Sequence, residues 1–246
     1  MPTPRALGLR ERVNHLVQDA EAVLRPVEAL NLKALVRTFT LRTSEGFVET
    51  FGPDLLLRVG AEAPGMRLRF VHKPDRESMS LRDGTVDLET GVVGDTSGPE
   101  VRVQALFRDR FIGVVRVGHP LCPGEITLER YAAGGHVLVS RRDSDTGPID
   151  AALTPFGLER RIVTSVGGFA TALALARASD LIATVPERHT GGLRSGMHSF
   201  PLPFPAPEVT VSLLWHPRMD GDLAHRWLRR CIRDVCAVAP KVQSTP

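Results

Sequence analysis

Lysine is nearly absent from this 246-residue chain. Of its 31 basic residues only Lys33, Lys73 and Lys241 are lysine, and the other 28 are arginine. The arginines are scattered, with pairs at Arg141–Arg142, Arg160–Arg161 and Arg229–Arg230 but no dense stripe. Aromatic residues are scarce at 5%. A nucleic-acid surface needs basic residues gathered on one face, and a single-strand platform needs stacking rings. The net charge of +3 (31 − 28) therefore reads as solvated surface and ion pairs, not as a DNA contact. Cysteine is equally rare: Cys122 stands alone, and Cys231 and Cys236 lie five apart on an expected helix. Three cysteines without a CxxC pair exclude a disulfide framework and a zinc site, and read as free thiols in a reducing compartment. No apolar run approaches the roughly 18 residues of a membrane span. The first twenty residues carry Arg5, Arg10, Glu11 and Arg12 and no apolar block, unlike a secretory signal. The expectation is a cytoplasmic protein with no membrane partner. The sequence also has no GxSxG elbow, no Walker-A loop, no GxGxxG after its first strand and no HExxH. Enzymatic function, cofactor and metal are accordingly not expected.

What is present is ordinary globular material, 42% hydrophobic and 24% charged, enough for one or two compact units. Residues 3–25 place Leu9, Val13, Leu16, Val17, Ala20, Val23 and Leu24 at steps of three and four, an amphipathic helix. Thr3 and Pro4 start it and Pro26 ends it. Strand and helix then alternate: a strand at 35–43, a helix from Phe47 to Ala61, a strand at 67–72, a helix near 76–83 and a strand at 86–93. That order signifies a parallel sheet with right-handed crossovers. Residues 101–118 read as two strands broken by Arg108-Asp109-Arg110. A second α/β set follows, with strands at 136–140, 161–166 and 180–186 and helices at 147–156 and 169–178. Residues 201–209, PLPFPAPEV, read as a proline-punctuated extended crossing, followed by a strand at 209–216 and a helix at 222–238. Crossings near 104–110 and 204–210 mean that the second unit is inserted into the first. The cleft between two such sheets is the default place for a small molecule.

Several stretches together resemble LysR-type transcriptional regulators, specifically their effector-binding domain. Residues 3–26 resemble the family's linker helix, LRDGTVDLETG (81–91) its L-x-x-G-x-x-D-L segment, and LFRDRFIGVVRVGHPL (106–121) the strand leading to its His-Pro-Leu motif. FGLERRIVTSVGGFATALALARASDLIATVPER (156–188) resembles the second subdomain's strand–helix–strand. The resemblance implies an α/β fold of two Rossmann-like subdomains of the periplasmic-binding-protein type II kind, joined by two crossing strands and preceded by a linker helix. It implies a dimerising linker at 1–30, subdomain I at 31–106 and 209–240, an inserted subdomain II at 107–208, and a tail at 241–246. It further implies an intracellular small-molecule sensor that controls transcription as a homodimer or homotetramer. In that family the DNA-reading winged helix-turn-helix comes before the linker helix, which here opens at Met1. DNA is therefore expected as a partner only through that preceding module. A solute-binding protein of the same fold, serving a transporter, is the alternative, and a naturally headless regulator a third.

The candidate effector contacts sit where strands give way to helices. Thr43, Ser44 and Glu45 combine hydroxyls with the unsatisfied N–H groups of a helix start, an arrangement suited to an anion or carboxylate; simple capping is the competing reading. Glu45 opposes an anion or favours an amine, so the sign of the effector stays open. Pro74 follows the second strand at the matching turn, with His72 and Lys73 before it. Glu89 reads as facing solvent by alternation, the alternative being a charge in the cleft. On the second lobe Ser140 ends one strand, and Val166, Gly167 and Phe169 end the next and open its helix. The glycine permits close approach of ligand to backbone; Phe169 reads equally as cleft wall or core staple. Thr184 is a further candidate. Asp143, Ser144 and Asp145 read as loop and cap, not metal ligands.

Overall fold

The switch from Leu41-Arg42-Thr43 to Ser44-Glu45-Gly46 is where the first strand becomes the first long helix, and it sets the pattern of the fold. The computed structural model describes residues 30–72, 79–93, 101–140 and 146–238. The expected helix at 3–25, Pro74, residues 143–145 and the tail at 241–246 lie outside the described residues. Lys33–Pro246 forms one compact unit. Within it, β1 (Arg37–Thr43) leads into α1 (Glu45–Glu62), capped by the Ser44 hydroxyl, which accepts the Phe47 N–H at 3.3 Å. Then come β2 (Met66–His72), α2 (Met79–Asp83) and β3 (Leu88–Val92). The first crossing strand is β4 (Arg102–Arg116), followed by α3 (Leu128–Ala133), β5 (Gly135–Val139), α4 (Pro148–Leu153), β6 (Arg161–Val166), α5 (Phe169–Arg177) and β7 (Leu181–Pro186). The chain closes with β8 (Met197–Pro201), β9 (Glu208–Trp215) and α6 (Leu223–Ala237).

The strands run in the order β2-β1-β3-β9-β4-β7-β5-β6, with β8 also against β4. β1 is parallel to β2 and β3, and β5 is parallel to β6 and β7, as alternating strands and helices dictate. β9 and β4 run antiparallel between these two groups. The first part of β4 pairs with β9, from Arg102↔Trp215 to Arg110↔Glu208. Its second part, from Phe111, pairs with β7 and β8. One strand of 15 residues, roughly 50 Å at ordinary rise, thus belongs to both halves of the sheet.

Three expectations require correction. Arg108-Asp109-Arg110 does not break the strand, because Arg108 and Arg110 alternate outward while Phe107 and Asp109 turn inward. Asp109 is 4% exposed. Its carboxylate accepts the backbone N–H groups of Arg110 (2.9 Å), Arg188 (2.9 Å) and His189 (2.8 Å). The proline-rich crossing, expected from residue 201, is preceded by β8, whose five residues the downstream prolines obscured. Glu89 faces inward: it is 2% exposed, sits in register with Arg42 across β3 and β1, and accepts from the Arg42 guanidinium (Nε at 3.0 Å). A buried carboxylate is tolerable only when so paired.

Two apolar clusters fill the second half. One packs Ile112, Val114, Ala183 and Val185 under α5, and the other gathers Tyr131, Ile149, Leu153, Ile182 and Phe200 on the opposite side of β7. His136 is fully buried beside Tyr131, its Nε2 bonded to the Tyr131 carbonyl at 2.8 Å and the ring centroids 4.7 Å apart. Burial lowers its pKa from 6.5 to about 4. A depressed histidine stays neutral in the folded protein while the unfolded chain takes up a proton, so stability is intact above pH 6.5 and is lost as pH falls toward 4. That difference amounts to about 3 kcal/mol. Urea unfolding at pH 7 and pH 4 should show the loss, and His136→Gln should make the pH profile flatter.

Candidate functional site

α1 and α5 open toward the same seam from the two halves of the sheet. The side chain of Glu45, in the first turn of α1, reaches α5: its Oε2 lies 3.3 Å from where a Cβ on Gly168 would stand. Gly168 caps α5 without a side-chain bond, so its small size leaves room there for the carboxylate. Ser44 faces the segment after β7, and its hydroxyl is hydrogen-bonded to Nε2 of His189. His189 is 8% exposed. Its ring lies 6.2 Å from Phe47 on α1 and 6.3 Å from Phe169 on α5, tilted at 54° to the first and edge-on to the second at 72°. The imidazole therefore occupies a slot between two phenylalanines, with its polar edge on a helix-capping serine.

The segment carrying His189 is held from several sides. Asp109 binds its backbone from β4. Burial pushes the Asp109 carboxyl up, against the pull of its three N–H donors and of Arg188. Arg188 stacks over Phe107 at 4.6 Å and donates to the Cys236 carbonyl at 2.7 Å, joining the segment to β4 and to the end of α6. Thr50 on α1 donates to the His189 carbonyl and accepts the Gly192 N–H, both at 3.3 Å. Pro53 offers no N–H to the Glu49 carbonyl one turn back. The backbone of Gly192 approaches that carbonyl so closely that a Cβ would come within 3.1 Å of it. Ser44, His189 and Asp109 are together by residue type, but the carboxylate serves the histidine's backbone N–H, a structural role rather than one that orients the ring.

The candidates named from sequence divide. Ser44, Glu45 and Phe169 meet at the seam with His189. Thr43 is buried beneath it, its hydroxyl bonded to that of Thr90. Ser140 and Val166 lie side by side at the strand ends, joined by the Ser140 N–H to the Val166 carbonyl at 3.0 Å. Gly167 is exposed and nothing would crowd a Cβ there; the close approach occurs one residue later. Phe169 packs on the α5 cluster and faces His189. Thr184 is not at the seam. It is buried on the other face of β7, bonded to the Tyr131 hydroxyl at 2.6 Å. His189, Asp109 and Gly46 were missed. The available signal was position, because His189 follows the carboxyl end of β7, where ligands of such sheets gather. A recess of about 830 Å³ lies elsewhere, between α4 and β6. It is lined by Asp150, Thr154, Glu159 and Arg160 among others, and includes no seam residue.

The family model for the LysR substrate binding domain matches residues 33–237. The chain belongs to the LysR family. It is 30% identical over 237 residues to the HTH-type transcriptional activator NahR of Pseudomonas putida, covering 95% of this chain and 79% of that one. A probable transcriptional regulator of Pseudomonas aeruginosa, PA0477, has a crystal structure that matches with a TM-score of 0.73 at 28% identity, over 94% of this chain and 79% of that one. The regulatory domain of MexT, a transcriptional activator of the same organism, matches with a TM-score of 0.69 at 26% identity, over 82% and 98%. The chain is thus an effector-sensing domain of a LysR-type transcriptional regulator, and these likenesses favour that reading over the solute-binding alternative. Family and relatives are regulators, not enzymes. Among the described residues no helix is long and apolar enough to cross a membrane, and no group of three or more His, Cys, Asp or Glu is placed to hold a metal ion.

Contact between α1 and the His189 segment depends on Gly46, where a Cβ would lie 2.7 Å from the His189 carbonyl oxygen. Backbone cannot yield as a side chain can, so Gly46→Ala should cost about 1–3 kcal/mol. A lowered urea midpoint with an unchanged slope would register it, and wild-type stability in the variant would disprove the close packing.

Proposed function

We propose that the effector binds in the seam between the N-termini of α1 and α5, and that its occupancy resets the angle between a lobe of residues 31–106 and 209–240 and a lobe of residues 107–208. The observation that carries this is the convergence of Ser44, Glu45, His189 and Phe169 from both halves of the sheet on one place. Two helix starts supply N–H donors and positive dipole ends, which favours a small carboxylate, with the two phenylalanines favouring an aromatic acid. Thr43, Ser140, Val166 and Gly167 support the walls of that site, and Pro74 is kept as a candidate contact from its sequence alone. Thr184, engaged with Tyr131, is assigned to the fold.

An effector can move the lobes only by its difference in affinity for their two arrangements. In the regulator as a whole that shift passes to DNA-binding modules through a cytoplasmic homodimer or homotetramer, which we propose from the family. A thermal-shift screen of small carboxylates and aromatic acids followed by calorimetry should yield a ligand. Ser44→Trp fills the seam and should abolish its binding; a ligand bound equally well by that variant would place the site elsewhere.

A further inference from the structure

The side chain that fills the seam already has the shape of a ligand. The His189 imidazole is a flat ring set between Phe47 and Phe169, at 6.2 and 6.3 Å between centroids, and its edge nitrogen is bonded to the Ser44 hydroxyl at the start of α1. Its carbonyl and backbone N–H are fixed independently, by Thr50 and by Asp109. Rotation of the side chain would take the ring out of the slot and leave these backbone contacts in place. A second internal group stands at the opposite helix start, where the Glu45 carboxylate lies against Gly168. In this structure, then, the polar positions that a small carboxylate would take are met by groups of the chain itself.

We propose that His189 is a resident stand-in for the effector, and that the effector is a flat aromatic monocarboxylate that displaces it. The acid's ring takes the slot between Phe47 and Phe169, and its carboxylate takes the place of Nε2 on the Ser44 hydroxyl, at the positive end of α1. Glu45 opposes this anion, so the carboxylate must also turn Glu45 away from α5. The stand-in keeps the empty slot filled, and a buried slot left vacant would forfeit the packing of its walls. It also weakens binding by competition, because the apparent affinity is reduced by the fraction of molecules in which the ring is in place. This inference rests on the reading of the seam as the effector site.

The test uses benzoate, benzamide and cyclohexanecarboxylate as probes, calorimetry as the readout, and the wild-type and His189→Ala proteins. His189→Ala should bind benzoate about ten-fold more tightly than wild type. It should prefer benzoate to benzamide, which lacks the charge, and to cyclohexanecarboxylate, which lacks the flat ring. Free imidazole should raise the melting temperature of His189→Ala and leave wild type unchanged, because only the variant has the slot vacant. Should the alanine variant prove too unstable, His189→Gln removes the ring while keeping a hydrogen-bonding side chain, and should shift benzoate affinity in the same direction. Equal or weaker benzoate binding by His189→Ala overturns the proposal, as does a lack of stabilisation by imidazole. If benzoate binds both proteins equally and Ser44→Trp blocks it in each, the seam stands as the effector site and the stand-in alone fails. If benzoate binds neither protein, the aromatic-acid class is overturned, and the wider carboxylate screen decides on the seam separately.

Discussion

A single buried carboxylate ties the crossing strand to the segment that fills the seam. Asp109 accepts three backbone N–H groups, one from its own strand and two from residues 188 and 189. Burial of a carboxylate is costly unless its acceptor sites are met, and the N–H groups of residues 188 and 189, which lie past the end of β7, need acceptors outside its ladder. The arrangement is economical because both problems are solved at one point. From it follow the position of His189, the stacking of Arg188 on Phe107 and the approach of Gly46 to the His189 carbonyl. The aromatic string from Phe47 through Phe51 to Phe107, with centroids 5.0 and 5.2 Å apart, runs alongside and joins α1 to the same strand.

Much of the lobe architecture was legible in sequence because it is local. Periodicity changes from alternate residues to steps of three and four on either side of Ser44, and the serine itself is a capping residue, so strand end, helix start and candidate site coincide. The same holds for the Val166 to Phe169 junction. Family resemblance added the topology that local pattern cannot supply, since nothing in β4 or β9 says which strand it will join.

What stayed hidden depends on partners distant in the chain. Glu89 reads as surface until Arg42, 47 residues earlier, is seen beside it. Asp109, between two arginines, reads as a loop because its compensation comes from backbone groups 79 and 80 residues away, and backbone donors leave no mark in a sequence. His189 lies 145 residues from Ser44, in a stretch of turn-forming residues that gives no periodic signal. Thr184 lies in a strand directed at the seam, and strand alternation puts its side chain on the Tyr131 face.

The uninterrupted run of β4 bears on how the two lobes can move. A loop hinge swings freely about one or two dihedrals, whereas a strand held by a ladder along most of its length resists bending and yields more readily to torsion. Lobe rotation here would therefore be spread along β4 and β9 as a change of twist. Its softest point would be the irregularity in their ladder between Ala105 and Phe107, where the register shifts. A change of twist at that point would alter the lobe angle while leaving the ladder on either side of it, from Arg102 to Ala105 and from Phe107 to Arg110, in register.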